Sequence, residues 1–358
     1  MITRKPLIGC KKHIGYYMKI KNKYIIGTHV VFYEIEILRE FLESIKQALE
    51  SVENKENVRV ELLFNLSQLF ERIDESRITK EELIDRFMKE VEYIGESGCD
   101  IKYTIYENDE KFYNIGHYRR DLNYLNCEKY DFVIWGETDC LMPKEMFPCL
   151  EHVSAVADEN NISKYVVTFS VCKMWDESWK VLEHPYFTDK PFIENDFDNW
   201  WSLKYTMSQE EMNEINSESV SWAQLEDDGY TGNIELTAIQ SPKFDGSGLI
   251  ISSDLIYNGA NVPHACWAHG EDTGFMINCM QLMGESFIQF IVKNVLKVHN
   301  RKHPKKRMYV LDEDDKEGIG DRRKKNEKWA KVQQISDYNR NLLGGKQGRF
   351  YKVKEIER

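Results

Sequence analysis

The chain has 358 residues with 42% hydrophobic and 12% aromatic content, a globular composition of a size for one large α/β domain with additions, or for two domains. Its net charge of −12 is uneven: Asp321 to Arg358 carries twelve Lys or Arg against five Asp or Glu, which leaves −19 on the preceding 320 residues and argues against a broad DNA-backbone footprint. No apolar run approaches the roughly 18 residues of a membrane helix, and the basic start MITRKPLIGCKKHIGYYMKIKNK lacks the apolar core of a signal peptide.

After an N-terminal extension (residues 1–22), KYIIGTHVVFY (23–33) reads as a strand. EIEILREFLESIKQALESV follows as a helix, with Ile35, Leu38, Leu42, Ile45 and Leu49 at helical spacing. VRVELLFN (58–65) is the second strand. TKEELIDRFMKEVEYIG is the second helix: Thr79 is expected to cap it, Glu82 to complete a capping box, and Gly95 to end it. IKYTIYEND (101–109), the helix NIGHYRRDLNYLN and the strand DFVIWG complete four strand units. This alternation predicts a parallel sheet covered by helices, with strands buried on both faces. Ligands of such sheets bind beyond the carboxyl ends of the strands. Glu137 and Asp139 stand at one such end.

The second half opens with the strand KYVVTFSV (164–171). A polar, aromatic stretch holds five of the eight tryptophans: Trp175, Trp179, Trp200, Trp201 and Trp222. Either they pack as a core cluster or they offer flat rings for stacking on sugars or bases. Residues 248–252 read as a strand, and His269-Gly-Glu271-Asp272 precedes a helix carrying Phe275, Ile277, Cys279 and Leu282. SFIQFIVKNVLKVHN is a strand ending at His299, followed by His303 and a basic cluster. Residues 309–358 form a charged tail, helical in part, which suits a packing arm or contact with an anionic surface. The eight cysteines include no C-x-x-C pair and no zinc spacing, so reduced thiols in a cytoplasmic protein are expected.

The order of these parts resembles the nucleotide-sugar-dependent glycosyltransferases of the GT-A fold, specifically inverting family 2. The resemblance spans about residues 23–305 and is carried by THVVFYEIEILREFLESI, LFN at the second strand end, NIGHYRRDLNYL, WGETDCLMP, HGEDTGF and KVHN. It implies a Rossmann-like, mostly parallel sheet flanked by helices, with an aromatic-rich acceptor-side insertion and a basic C-terminal tail. The glycosyltransferase domain is expected over 23–308, its donor half at about 23–150 and its acceptor half at about 151–308. WGETDCLMP stands where the family has its D-x-D motif, with Glu137 in place of the first Asp. Asn65 stands where many relatives carry an Asp that reads the base.

The resemblance implies Mn²⁺ or Mg²⁺ as cofactor, held by Asp139 with His299, and stabilising the diphosphate leaving group as a Lewis acid. Asp272 is the expected base, with Glu271 as runner-up. Donor contacts are expected from Glu34, Asn65, Asp109, Arg119, Arg120 and Glu137. A guanidinium in that set suits diphosphate or a motif carboxylate. Glu34 and Asp109 serve equally well as caps, and either arginine as part of a solvated helix face. The five tryptophans of the aromatic stretch and His269 are candidate acceptor contacts. The donor is expected to be a UDP or GDP sugar and the acceptor a glycan, a lipid-linked sugar or another hydroxyl, with a nucleic-acid acceptor left open. Membrane association would be peripheral at most. Two other readings stand beside this one. The first is a carbohydrate-binding or assembly protein on the same scaffold. The second is a sugar-phosphate nucleotidyltransferase, disfavoured because no Gly-rich basic loop follows the first strand.

Overall fold

A computed structural model describes residues 17–67, 78–108, 110–111, 113–173, 202–204, 234, 236–240, 246–266, 270–299 and 327–345. Strands β1 (Tyr24–Val31), β2 (Val58–Asn65), β3 (Asp100–Tyr106) and β4 (Phe132–Gly136) alternate with helices α1 (Ile35–Leu49), α2 (Lys80–Gly95) and α3 (Ile115–Asn126). The four strands pair in parallel in the order β3-β2-β1-β4. Successive side chains of a strand point to opposite faces. Tyr24, Ile26 and Val30 of β1 accordingly join Leu38, Phe41 and Phe87 in one core, while Ile25 joins Tyr118, Leu122, Val133 and Trp135 in the other. Burial on both faces holds for β1 along its whole length but not for β3, which ends the sheet and is largely exposed.

The chain continues through β5 (Cys140–Leu141), α4 (Met146–Glu159), β6 (Tyr165–Lys173), β7 (Ser202–Lys204), β8 (Leu236–Ile239) and β9 (Ile250–Ser252). Then come α5 (Ser253–Tyr257), α6 (Glu271–Met283), β10 (Ile288–His299) and α7 (Glu327–Leu343). Beyond β4 the sheet order is β9-β6-β10-β5, with β7 on β6 and β8 on β10. β9 runs antiparallel to both β4 and β6, while β6 and β10 are parallel. Among the described residues this is one ten-stranded, mostly parallel sheet flanked by helices, the fold class expected from the sequence. No helix among them is long and apolar enough to cross a membrane.

Local expectations are met in part. Thr79 Oγ1 accepts the Glu82 amide at 3.2 Å, but the Glu82 carboxylate turns to Arg86 at 2.9 Å, so the capping box stays half formed. Gly95 is the last residue of α2 rather than its stop, and the left-handed residue falls at Gly98. The strand expected from residue 248 begins at Ile250, because Gly248 has a positive φ of 61°. A complete capping box occurs instead at α3, where Asn114 Oδ1 accepts the His117 amide and His117 Nδ1 accepts the Asn114 amide. The expected apolar set of α6 is only partly buried: Phe275 and Cys279 are in the core, whereas Leu282 is 54% exposed.

Candidate functional site

Glu137, Glu271 and Asp272 converge near the carboxyl end of β4. β4 stops at Gly136, and a tight turn closed by the Cys140 amide on the Glu137 carbonyl (2.9 Å) leads into β5. Asp139 lies in that turn and is buried. The antiparallel register of β5 with β10 sets Cys140 opposite His299, so the backbone brings His299 beside Asp139. The side chain of His299 lies outside the described residues, as do His269, Asp109, Trp175, Trp179, Trp200, Trp201 and Trp222.

Arg119 organises the rest. Helical spacing puts it on the buried face of α3 with Gly116, Leu122, Asn123 and Asn126. Its guanidinium is 2% exposed; Nη1 donates to Glu271 Oε1 at 2.6 Å, and Nη2 donates to Glu137 Oε1. Nη2 also reaches the Gly246 carbonyl at 3.3 Å. The Trp135 ring lies 4.7 Å below the guanidinium carbon, and the indole N–H is fixed by Asn123 Oδ1 at 2.9 Å. Burial alone would lower the Arg119 pKa, but the Glu137, Glu271 and Asp272 carboxylates outweigh it and the net shift is upward. The guanidinium is therefore a fixed charge, and it ties the strand-tip acid to an acid 134 positions later in the chain.

The two acids at the start of α6 differ. Glu271 is buried and bound to Arg119, whereas Asp272 is half-buried and outside that ion pair. Asp272 Oδ1 accepts the Thr273 amide at 2.6 Å, and the rest of the carboxylate packs on Gly246. A Cβ at 246 would lie 2.6 Å from both Cβ and Oδ2 of Asp272. Gly270, in the left-handed region at φ 68°, begins α6, and the Arg340 guanidinium of α7 occupies the space where a side chain there would go. Asn339 Nδ2 donating to the Ala265 carbonyl (3.2 Å) and Gln281 Nε2 donating to the Leu343 carbonyl (2.5 Å) hold α7 in that place.

The other donor-side residues are distributed along the same edge. Glu34 closes the 3-10 turn after β1 and is half-buried. Asn65, at the end of β2, is committed to the fold: Nδ2 contacts His29 Nε2 (3.0 Å) and donates to the Tyr113 carbonyl (2.7 Å), and Oδ1 accepts the Ser67 amide (3.0 Å). Arg120 faces away from the Arg119 ion pairs. It lies within electrostatic reach of Asp121, Tyr113, His117 and His264, and its Nη1 is buried without a hydrogen-bond partner. Burial holds its pKa below the usual arginine value, and burial also pushes the His117 imidazole down to about 4.

Sequence reasoning missed Lys297. It lies on β10, fully buried, with Nζ donating to the Ser247 carbonyl. The signal was a lysine inside the apolar run FIVKNVLKV, which reads as a strand.

No protein-family model and no curated protein sequence matches this chain. Several solved structures resemble it. TarS of S. aureus is 12% identical over 78% of this chain and 35% of its own, with a TM-score of 0.36. Glucosyl-3-phosphoglycerate synthase of M. tuberculosis is 8% identical over 92% of this chain and 82% of its own, with a TM-score of 0.38. The M. tuberculosis enzyme in complex with Mg²⁺ and uridine diphosphate is 11% identical over 78% and 72%, with a TM-score of 0.34. All three scores are low, and the chain spans about a third of the length of TarS.

Proposed function

We propose that this protein is a glycosyltransferase that moves a sugar from a nucleoside-diphosphate sugar to an acceptor hydroxyl with inversion, using Mn²⁺ or Mg²⁺. The observation that carries this reading is Arg119: one buried guanidinium gathers Glu137 and Glu271, and so sets the strand-tip acids beside the acids of α6 at the carboxyl end of the parallel strands. That end is where open α/β sheets hold ligands.

The donor set suits a divalent cation. Asp139 supplies a buried carboxylate, and β5–β10 pairing brings His299 next to it. One carboxylate and one imidazole are a sparse set, fitting an ion that takes its other ligands from phosphate oxygens and water, with the imidazole favouring Mn²⁺. Bound there, the ion would neutralise charge developing on the diphosphate as the sugar departs. Glu137, with one oxygen on Arg119, would meet the donor ribose or a water held by the ion, in a direction that Arg119 sets. Glu34 and Arg120 are donor-side candidates. Asn65 shapes the same edge through its three hydrogen bonds. Asp272 is the base: it lies outside the arginine ion pairs and is half-exposed, so it can take the proton of an incoming hydroxyl. Glu271 holds the start of α6 on Arg119 instead. The acceptor is a hydroxyl of a glycan, a lipid-linked sugar or another polymer.

Calorimetric titration of UDP, GDP, CDP and dTDP, each with and without Mn²⁺, tests the reading. One nucleotide is expected to bind in a metal-dependent way and to lose that binding in Asp139→Ala. Asp272→Asn is expected to keep nucleotide affinity and lose about 10²–10⁴-fold in transfer rate. A chain that binds no nucleotide under any metal sinks it.

A further inference from the structure

The turn at Gly246–Ser247 is gripped by two buried cations from different elements. Arg119 of α3 donates to the Gly246 carbonyl at 3.3 Å, and Lys297 of β10 donates to the Ser247 carbonyl. On the same turn the Asp272 carboxylate rests against the bare Cα of Gly246. Three parts of the site thus meet on two peptide units: the strand-tip acid through Arg119, the strand that ends in His299 through Lys297, and Asp272 by contact.

An ammonium buried this deeply gives up its hydration at a large cost. An apolar side chain of similar length would fill the same space without that cost. What the ammonium adds is direction: it fixes a carbonyl, and with it the turn. β10 supports this placement, because its register on β6 shifts between Val292 and Leu296, and Lys297 comes just past that irregularity. Bulges re-aim the residues that follow them and recur beside functional sites.

We infer that Lys297 and Gly246 are positioning residues for Asp272, and that the 246–247 turn sets the distance between the base and the donor phosphates. The inference rests on the glycosyl-transfer reading and goes beyond it by assigning residues that touch neither donor nor acceptor. Lys297→Met keeps the volume and removes the directing charge. Gly246→Ala puts a methyl group where the Asp272 carboxylate lies. A misplacement of about 1 Å at a reacting group costs on the order of 10²-fold in rate.

Two measurements on the full chain test this. The first compares kcat, KM and nucleotide Kd of the two variants with the parent. A fall in kcat of about 10²-fold is expected, with nucleotide Kd unchanged and the acid limb of the kcat–pH profile displaced. The second is an unfolding cycle without ligand, combining Gly246→Ala with Asp272→Gly. Residues in contact couple, so the double variant should depart from additivity by about tenfold in the unfolding equilibrium constant. Additive stabilities overturn the inference whatever the nucleotide results, and so do variants with the parent's kcat. A parent that binds no nucleotide overturns the glycosyl-transfer reading instead. That failure is separable, because the unfolding cycle needs no ligand.

Discussion

The sheet carries buried acids at both ends, and the two ends treat them differently. At the amino end, Glu151 accepts the Lys21 and Asn22 amides, the Asn22 side chain and the Tyr24 hydroxyl, at 2.6–3.1 Å. These four donors are neutral and belong to the segment that leads into and begins β1. At the carboxyl end, Glu137 and Glu271 share one guanidinium, and Asp272 is left outside the pair. Neutral donors fix an acid as a piece of structure. A shared cation gathers several acids in one place, and its loss leaves charges that the interior cannot solvate. Glu145, between the two ends in sequence, is a third kind: fully buried, 3.7 Å from Lys144, with neither oxygen hydrogen-bonded.

The sharpest way to break this contrast is Arg119→Met. It strands Glu137 and Glu271 without their cation, and removing one partner of a buried ion pair costs about 3–5 kcal/mol. Urea unfolding should show that loss, and nucleotide binding should weaken with it. Glu145 gives the next effect. Burial raises its pKa from the usual 4.5 to about 7. The folded state therefore favours the protonated form, and stability present below pH 4.5 is lost as pH rises through 7. Glu145→Gln should remove that decline and add about 3 kcal/mol at pH 8. Unfolding midpoints across that pH range check it, and an unaltered slope refutes it. The smallest effect belongs to the amino end: Glu151→Gln turns an acceptor into a donor facing backbone amides, and should cost about 2 kcal/mol. Because that site is framework alone, kcat and nucleotide affinity should stay at the parent's values.

The frame was legible because its strands are apolar runs cut off by polar turns. β2 matches its expected span, and β1, β3 and β4 begin or end within a few residues of theirs. Helix α4 went unread: Pro148 and the scattered small residues of MFPCLEHVSAVADE blur its period, although proline is tolerated in a first turn. The short β5 carries too few residues to show a period at all, and β9, read as a strand over 248–252, gives no sign in sequence of its antiparallel pairing. For the site, the acids and Arg119 could be named from their order along the chain. Their division of labour could not, because the Arg119–Glu271 bond joins residues 152 positions apart. Nor does α3's sequence by itself say that Arg119 faces inward and Arg120 does not; the buried set Tyr118, Leu122 and Asn126 decides it.

Helix α7 sets the order in which the site is completed. Chains emerge amino end first. The sheet, Arg119 and both α6 acids are synthesised before Arg340, which fills the space beside Gly270. Until α7 arrives, the α6 start lacks its outer wall, so a nascent chain can hold every acid of the site and still lack its final geometry. The same wall is joined to β10 through residues 300–326, so after a proteolytic cut there α7 would be held without a covalent link to β10, and its departure would become a matter of dilution.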